Sequence, residues 1–288
     1  MMVGNPNLKN EYIGVIVAVP EEARIFKSLL SNWTSGTLAG MRSGMAYWYS
    51  HPVAMVISGQ GEANARAACQ ALFRQYHPRF VISTGFCGAL QSGVRVGDII
   101  VSRRIYREKD VLQAIKRGED LQNIPSWKPS HETLELAQRV CIEYKNMQVQ
   151  QGRFESGMSR CWDETTVTSD HVIASSNDKL ALGQKSGAIS VDMESAMVGE
   201  IMSVGGIPWL AVRVVSDSAD SDIPLDMNGF TDARGDVQYG SIVKEAIHNF
   251  RIIPSLVRLG LDSHKASSSL RVFMQYLFDA LTDEIEEN

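Results

Sequence analysis

Two acidic clusters mark the stretch 188–217, AISVDMESAMVGEIMSVGGIPWLAVRVVSD. Asp192 and Glu194 follow a short apolar segment, and Asp217 ends a longer apolar one. Because a carboxylate is costly to bury without a partner, acidic residues at the ends of apolar strands indicate the rim of a pocket. Open α/β sheets bind their ligands at such strand ends. These residues alone also allow a purely structural explanation, since Asp192 can cap the following helix and Asp217 can begin a loop.

A third acidic candidate, Glu22, lies near the start of the chain. The run IGVIVAV at 13–19 has the length and β-branched composition of a buried strand, and PEEARIFKSLL follows at helical spacing. Negative charge in a first helical turn favours the helix dipole. Glu21 and Glu22 therefore have a structural explanation as well as a chemical one.

Further elements alternate along the chain. Apolar runs predict strands at 41–50, 53–58, 80–85, 98–102, 147–152 and 165–174, and periodic segments predict helices at 62–76, 131–144, 177–184 and 241–281. We expect the last helix to break near Pro254 and again at 264–269, and we expect 103–130 to be an irregular surface excursion. The alternation predicts an α/β sandwich with one mixed sheet.

The bulk composition narrows the class of protein. The chain has 288 residues, 44% of them hydrophobic and 21% charged, with a net charge of −5 and no dense basic run, which argues against a nucleic-acid-binding surface. The four scattered cysteines form no CxxC pair, so we expect buried free thiols and no metal site. The N-terminus is too polar for a secretory signal and no run is long enough to span a membrane, so the expected location is the cytoplasm.

Since no Pro/Gly/Ser-rich linker divides the chain, we predict one domain over 1–288, with a core at about 13–220 and a helical C-terminal extension at about 241–281. The turn Gly59-Gln60-Gly61 lets backbone amides approach an anion or a sugar. It lacks the third glycine of the dinucleotide fingerprint, which argues against an NAD-dependent oxidoreductase.

In this order, four stretches resemble the purine nucleosidase/nucleoside phosphorylase superfamily. IGVIVAVPEEA resembles the opening strand and glutamate turn of methylthioadenosine/adenosylhomocysteine nucleosidases, and ISTGFCGALQSGVRVGDIIVS resembles their central glycine turn. VDMESA is similar to the ribose-binding motif and VRVVSDSAD to the base-recognition motif. The resemblance implies a three-layer sandwich with a central mixed, partly barrel-like sheet flanked by helices.

The resemblance also implies roles for individual residues in cleaving an N-glycosidic bond. Asp217 would be the acid that protonates the purine, a role that needs a raised pKa, and Glu22 would activate water. Glu194 would hold the ribose hydroxyls. The remaining implied substrate-binding residues are Met193, Asp192, Ser216, Phe86, Cys87, Gly88, Val172 and Ile173.

Water and phosphate both remain possible nucleophiles. Bacterial phosphorylases of this superfamily have an arginine where this chain has Ser83, and a hydroxyl residue where it has Phe86. Their loss removes charge-assisted bonds to phosphate and favours hydrolysis. The alternative is phosphorolysis with phosphate as co-substrate, held by Arg24 and by Arg42 from nearby or from another subunit. A second alternative is a nucleoside-binding protein without catalysis, against which the presence of all three acidic residues argues.

The substrate is open at this point. The resemblance implies that the substrate is a small purine nucleoside, that the reaction needs no cofactor apart from phosphate in the phosphorolytic case, and that the protein is a homo-oligomer. Phe86 and Val172 depart from the well-known nucleosidases, and VDMES with the later IPLDMNGF is closer to the branch that includes hopanoid-associated phosphorylases, which act on a lipid-linked adenosyl group. The apolar stripe of 252–281 would then contact lipid or a membrane surface. The alternative is packing on the core or on another subunit.

Overall fold

The computed structural model describes residues 12–152, 158–223 and 253–287, with side chains of the last helix described from 260 to 285. The strands are β1 (Ile13–Val17), β2 (Ser31–Leu38), β3 (Met41–Trp48), β4 (His51–Ile57), β5 (Phe80–Ala89), β6 (Ile99–Arg107), β7 (Cys161–Thr168), β8 (Ser190–Asp192) and β9 (Trp209–Asp217). The helices are α1 (Pro20–Leu29), α2 (Glu62–Tyr76), α3 (Glu108–Arg117), α4 (His131–Gln150), α5 (Ser176–Ser186), α6 (Ser195–Gly205) and α7 (Ile253–Glu287).

The nine strands of the described residues form one mixed sheet in the order β2-β3-β4-β1-β5-β8-β7-β6-β9. An additional pairing of β5 with β9 closes the last five strands of this order into a ring. β1 runs parallel to β4 and β5, and β5 runs parallel to β9. The carboxyl ends of these four strands therefore share one edge of the sheet.

Apolar side chains cover both faces of the sheet. One core cluster joins β1, β5 and β9 to α1, α4 and α7, and a second joins them to α2 and α6 on the other face. Successive residues of a strand belong to different clusters, as Val81 and Ile82 do, because their side chains point to opposite faces of the sheet. The predicted α/β sandwich with a mixed, partly barrel-like sheet is confirmed.

Two boundary predictions are wrong. The segment 103–130 is not an irregular excursion: β6 continues to Arg107, and α3 follows with acidic residues in its first turn and basic residues in its last. The predicted strand at 147–152 does not form, because α4 continues to Gln150 and places the buried Gln148 side chain against the backbone of Ser159.

Other elements differ in length or number. The strand predicted at 165–174 ends at Thr168, and β2 forms where no strand was predicted. α7 runs unbroken from 253 to 287, because the polar positions 264–269 contribute the buried Ala266 and Ser269 to its inner face. Pro254 lies in its first turn, where a missing N–H costs no helical hydrogen bond. The positions 241–252 lie outside the described residues.

The cysteine prediction is half right. Cys69 and Cys87 are buried free thiols, as expected. Cys141 of α4 and Cys161 of β7 form a disulfide, with Cα atoms 5.5 Å apart. The sequence separation of 20 residues gave no sign of this pairing, because it depends on how α4 packs against the sheet.

α7 buries its apolar stripe against the core. Leu270, Phe273, Leu277 and Phe278 are fully buried. Within the described residues, none of the helices is both long and apolar enough to cross a membrane. The stripe at 266–281 is thus occupied by intramolecular packing.

Phe278→Ala tests this docking. Phe278 stacks on Trp48 at a ring distance of 5.5 Å and meets the edge of Phe26, so its removal leaves a cavity and is expected to lower the free energy of unfolding by about 3–5 kcal/mol. Leu261→Ala, on the exposed side of the same helix, is expected to change it by less than about 0.5 kcal/mol. Urea unfolding measures both. Equal, small effects would contradict the docking of α7.

Candidate active site

Several predicted site residues lie at the shared edge where β1, β4, β5 and β9 end. Glu22 lies in the first turn of α1 beyond β1, and Gly61 lies just before α2 beyond β4. Phe86 lies in the last part of β5, and Asp217 is the last residue of β9. Parallel pairing therefore brings together residues that are up to about 195 positions apart in the chain.

Glu22 is buried, with 3% of its surface exposed. One carboxylate oxygen accepts hydrogen bonds from the backbone N–H groups of Ala18, at 2.8 Å, and Val19, at 3.1 Å. The other accepts one from Phe86 N–H at 2.8 Å. The structural explanation thus holds, because one oxygen satisfies backbone N–H groups at the start of α1, and the other oxygen reaches β5; the chemical role stays a prediction.

Close approach to β5 depends on Gly85. A Cβ atom at this position would overlap the Glu22 carboxylate and would crowd the guanidinium of Arg213. A residue without a side chain is therefore required for the Glu22–Phe86 hydrogen bond. Burial raises the pKa of Glu22, while the Arg213 charge and the three backbone N–H groups oppose that rise.

Arg213, in the middle of β9, is a buried cation that the sequence analysis did not select. Its Nε donates to Asp192 Oδ2 at 2.8 Å, and its Nη2 donates to the hydroxyls of Ser83, at 3.1 Å, and Ser195, at 2.9 Å. Nη2 also lies 3.6 Å from Glu194 Oε2. Burial lowers the pKa of Arg213, but the neighbouring carboxylates outweigh this effect and raise it overall. An arginine within the apolar run WLAVRVV was the available signal.

Asp192 is a structural partner in this cluster. Besides the Arg213 bond, its Oδ1 accepts hydrogen bonds from the Thr168 hydroxyl at 2.7 Å and from the N–H groups of Glu194 and Ser195. Asp192 is not the N-cap of α6, which is Glu194, but it accepts from the first N–H groups of that helix, and the same carboxylate also binds Arg213. Asp192 has its hydrogen-bonding capacity taken up within the protein.

Glu194 reaches across to the glycine turn after β4. Its Oε1 accepts a hydrogen bond from Gly61 N–H at 2.9 Å, so this turn holds a carboxylate of the protein itself. Burial raises the pKa of Glu194 to about 7, with the Arg213 charge opposing the rise and the Asp192 charge adding to it. Near neutral pH, Glu194 is therefore able to both donate and accept hydrogen bonds.

Asp217, the last residue of β9, lies next to Gly88 of β5. Its Oδ1 accepts a hydrogen bond from the Ser216 hydroxyl at 3.0 Å, and its Oδ2 accepts one from Lys179 Nζ at 2.5 Å. Burial raises the pKa of Asp217, against the lowering effect of Lys179 and of these hydrogen bonds. Lys179 is a second buried cation missed from the sequence, where SNDKLALGQKS suggests a surface helix.

The remaining predicted residues are the substrate-binding candidates and the two arginines suggested for phosphate, and they differ in burial. Cys87 and Ile173 are buried, and Met193 and Val172 are partly exposed. Burial and the Asp217 charge raise the pKa of the Cys87 thiol, which argues against a nucleophilic thiolate. The arginines suggested for phosphate are different: Arg24 has a 73% exposed side chain and lies 3.7 Å from Glu21, and Arg42 is exposed on β3.

Outside this site, Glu108, Asp170 and His171 are the one group of acidic and histidine side chains, within the described residues, close enough together to share a metal ion. His171 Nδ1 lies 2.7 Å from Asp170 Oδ1, and most of the group is exposed. The carboxylates of Glu22, Glu194 and Asp217 do not belong to it. The expected absence of a metal remains a prediction.

Fold and site together define an α/β protein whose closed sheet edge carries two buried cations, Arg213 and Lys179, and four carboxylates, of which Glu22, Asp192 and Glu194 are buried and Asp217 is partly buried. Comparison with known families agrees with this class. The model of the phosphorylase superfamily matches residues 12–248, and the chain belongs to that family. The predicted resemblance is thus confirmed, and with it the prediction of an enzyme of the nucleosidase and nucleoside phosphorylase class.

Sequence relatives include 5'-methylthioadenosine/S-adenosylhomocysteine nucleosidases. The Bacillus cytotoxicus protein is 27% identical over 222 residues, which cover 76% of this chain and 91% of that protein. The protein of the same description from Bacillus cereus strain B4264 is 28% identical with the same coverage.

Solved structures share the fold. The futalosine hydrolase of Helicobacter pylori superimposes with a TM-score of 0.68 at 16% identity, covering 96% of this chain and 99% of that one. The methylthioadenosine/adenosylhomocysteine nucleosidase of Colwellia psychrerythraea in complex with adenine gives a TM-score of 0.69 at 19% identity, covering 95% and 97%.

The raised pKa of Glu194 predicts a pH dependence of stability. Its pKa lies near 7 in the folded protein and near 4.5 when unperturbed, so the folded state binds more protons between these values and stability falls as pH rises through them. In Glu194→Gln, the decrease in the free energy of unfolding with rising pH is expected to be smaller by about 3 kcal/mol, because glutamine does not titrate. Urea unfolding at pH 4.5 and pH 8 measures the fall in each protein, and an equal fall in both would contradict the assigned pKa.

Proposed function

We propose that the protein hydrolyses the N-glycosidic bond of a purine nucleoside, with an adenine-type base. The observation that supports this most is the arrangement of three carboxylates, those of Glu22, Glu194 and Asp217, around the end of β5. Glu22 accepts from the Phe86 N–H, Glu194 lies near Arg213, and Asp217 adjoins Gly88. Cleavage needs an acid for the leaving base, a group for the ribose and a base for water, and each carboxylate has its own environment for one of these tasks.

Asp217 is the proposed acid. As the bond between C1' and N9 breaks, negative charge flows into the purine, and protonation at N7 stabilises it. The burial that raises the pKa of Asp217 favours the protonated form that this step requires. The Ser216 hydroxyl, which also lies 3.2 Å from the Cys87 carbonyl, orients the carboxyl group.

Glu194 is proposed to bind the ribose hydroxyls, together with the Met193 backbone. The hydrogen bond from the Gly61 N–H fixes one of its carboxylate oxygens, and Arg213 lies near the other. The sugar becomes cationic in the transition state, so a carboxylate here strengthens its binding as the reaction proceeds. Glu22 takes a proton from the water that attacks C1'.

The charges near Glu22 favour water over phosphate. Glu22, Asp192 and Glu194 surround the single guanidinium of Arg213, and an excess of carboxylates repels an anion. Arg24, the arginine suggested for phosphate, is exposed and next to Glu21. With Ser83 and Phe86 at the positions discussed above, phosphorolysis has less support than hydrolysis.

The proposed substrates are methylthioadenosine and adenosylhomocysteine, because the sequence relatives carry these names. The neighbouring fold of futalosine hydrolase adds a third compound to test. Phe86 and Val172 are expected to shape the pocket. A homo-oligomer and a cytoplasmic location complete the proposal.

Asp217→Asn tests the acid. Loss of the transferable proton is expected to lower kcat by about 10²–10⁴-fold, measured as release of free base from methylthioadenosine, adenosylhomocysteine, adenosine, inosine and futalosine. Asp220→Asn is the matched control, because Asp220 is exposed and its carboxylate accepts from Ser92. Near-normal turnover by Asp217→Asn would refute the assignment.

Reaction in ¹⁸O-labelled water tests the nucleophile. Hydrolysis is expected to place one labelled oxygen in the sugar product, detected by mass spectrometry, without a requirement for phosphate. Glu22→Gln removes the base and is expected to lower kcat by about 10²-fold or more, whereas Glu21→Gln, in the same helical turn, retains activity. A phosphorylated sugar and strict phosphate dependence would instead establish phosphorolysis.

A further inference from the structure

Lys179 is held against Asp217 by an unusually complete set of contacts. Its side chain is 1% exposed. Nζ donates to Asp217 Oδ2 at 2.5 Å and to the backbone carbonyls of Ser218 and Ser221, each at 3.2 Å. Three acceptors match the three N–H bonds of an ammonium group. The lysine is therefore fixed in one position beside the proposed acid.

This arrangement conflicts with the simplest form of the acid step. Burying an ammonium group is costly, and an apolar side chain would fill the same volume in α5 at lower cost. The ion pair also stabilises the ionised form of Asp217, which has no proton to give. The cost of burying Lys179 is therefore explained if this lysine has a function that the carboxylate alone does not perform.

We propose that Lys179 supplies, through Asp217, the proton that the leaving purine takes up; this inference rests on the proposed function. Nζ passes a proton to Asp217 Oδ2, and Asp217 delivers a proton to N7 as the electron pair of the C1'–N9 bond moves into the base. Asp217 ends as a carboxylate and Lys179 as a neutral amine, which recovers a proton from water. Because Lys179 acts through Asp217, it is a positioning residue.

The groups around the pair keep a proton available to it. Asp262 of α7 faces Asp217, and its charge favours protonation there. Hydrogen bonds from Ser176, and the charge of Lys179, lower the pKa of Asp222 in the segment after β9. Cys87 of β5 faces Asp217 as a neutral thiol. The Nζ–Oδ2 contact of 2.5 Å thus keeps an N–H proton of Lys179 beside the acid in the resting enzyme, whereas a lone carboxylate would have to take a proton from solvent in every turnover.

The pH profile of kcat/KM tests the proposal. In Lys179→Met, Asp217 has to bind its own proton, so the decline of activity with rising pH is expected to begin about one pH unit or more below that of the wild type. KM near pH 5.5 should change little. An unshifted profile in a folded Lys179→Met protein would overturn the proposal.

The variant Lys179→Arg tests whether the pH profile depends on a proton released by residue 179 or only on its positive charge. Arginine keeps the cation and the hydrogen-bond donors but does not release a proton. It is expected to behave like Lys179→Met in its pH profile, and recovery of the wild-type profile by Lys179→Arg would overturn the proposal. If the methionine variant does not fold, the arginine variant and rescue of Lys179→Ala by added ethylamine provide the same test.

Binding of adenine distinguishes this inference from the proposed function. Calorimetry of adenine binding between pH 5 and pH 10 needs no turnover. Absence of base release by the wild type would refute the proposed function alone. In that case, loss of adenine binding at lower pH in Lys179→Met than in the wild type would still support the shared proton, and an identical pH dependence would overturn it.

Discussion

The ion-pair cluster of Arg213 is the interaction on which the site depends. This guanidinium donates hydrogen bonds to Asp192 and Ser195 and lies near Glu194 and Glu22, so it balances the negative charge of three carboxylates from two separate segments. Without it, these carboxylates would repel one another in a place with little water to screen them. The sheet supplies the geometry, because β9 is paired in parallel with β5 and carries Arg213 beneath the site.

A second ion pair joins the buried Lys179 to Asp217, which lies next to Gly88 of β5. The two clusters contact different residues of β5: the Phe86 N–H donates to Glu22 in one, and Gly88 adjoins Asp217 in the other. The water-activating and base-protonating groups of the proposed reaction thus contact different residues of the same strand. Each carboxyl group keeps its own electrostatic environment, which allows one to act as a base and another as an acid.

The sequence was sufficient for elements whose signals are local. β1, α1 and α2 have near-correct bounds, because an apolar run, a proline and a periodic segment lie next to one another. Predictions failed where packing overrides local preference. α4 extends through a stretch that looks like a strand, since Gln148 is satisfied by Ser159, and α7 remains unbroken because the core covers Ala266 and Ser269. The Cys141–Cys161 pairing likewise follows from the packing of α4 on β7.

By itself, the sequence determined the order of the motifs, and through them the class of fold, the family and the acidic residues Glu22, Glu194 and Asp217. It also carried the substitutions at Ser83 and Phe86 that bear on the nucleophile. Only the tertiary structure decided which cation faces which carboxylate. Arg213 and Lys179 acquire their partners from distant strands and loops, and no local pattern records a contact made across the sheet. For the same reason, the raised pKa values of these carboxyl groups follow from burial and neighbouring charges that exist only in the folded chain.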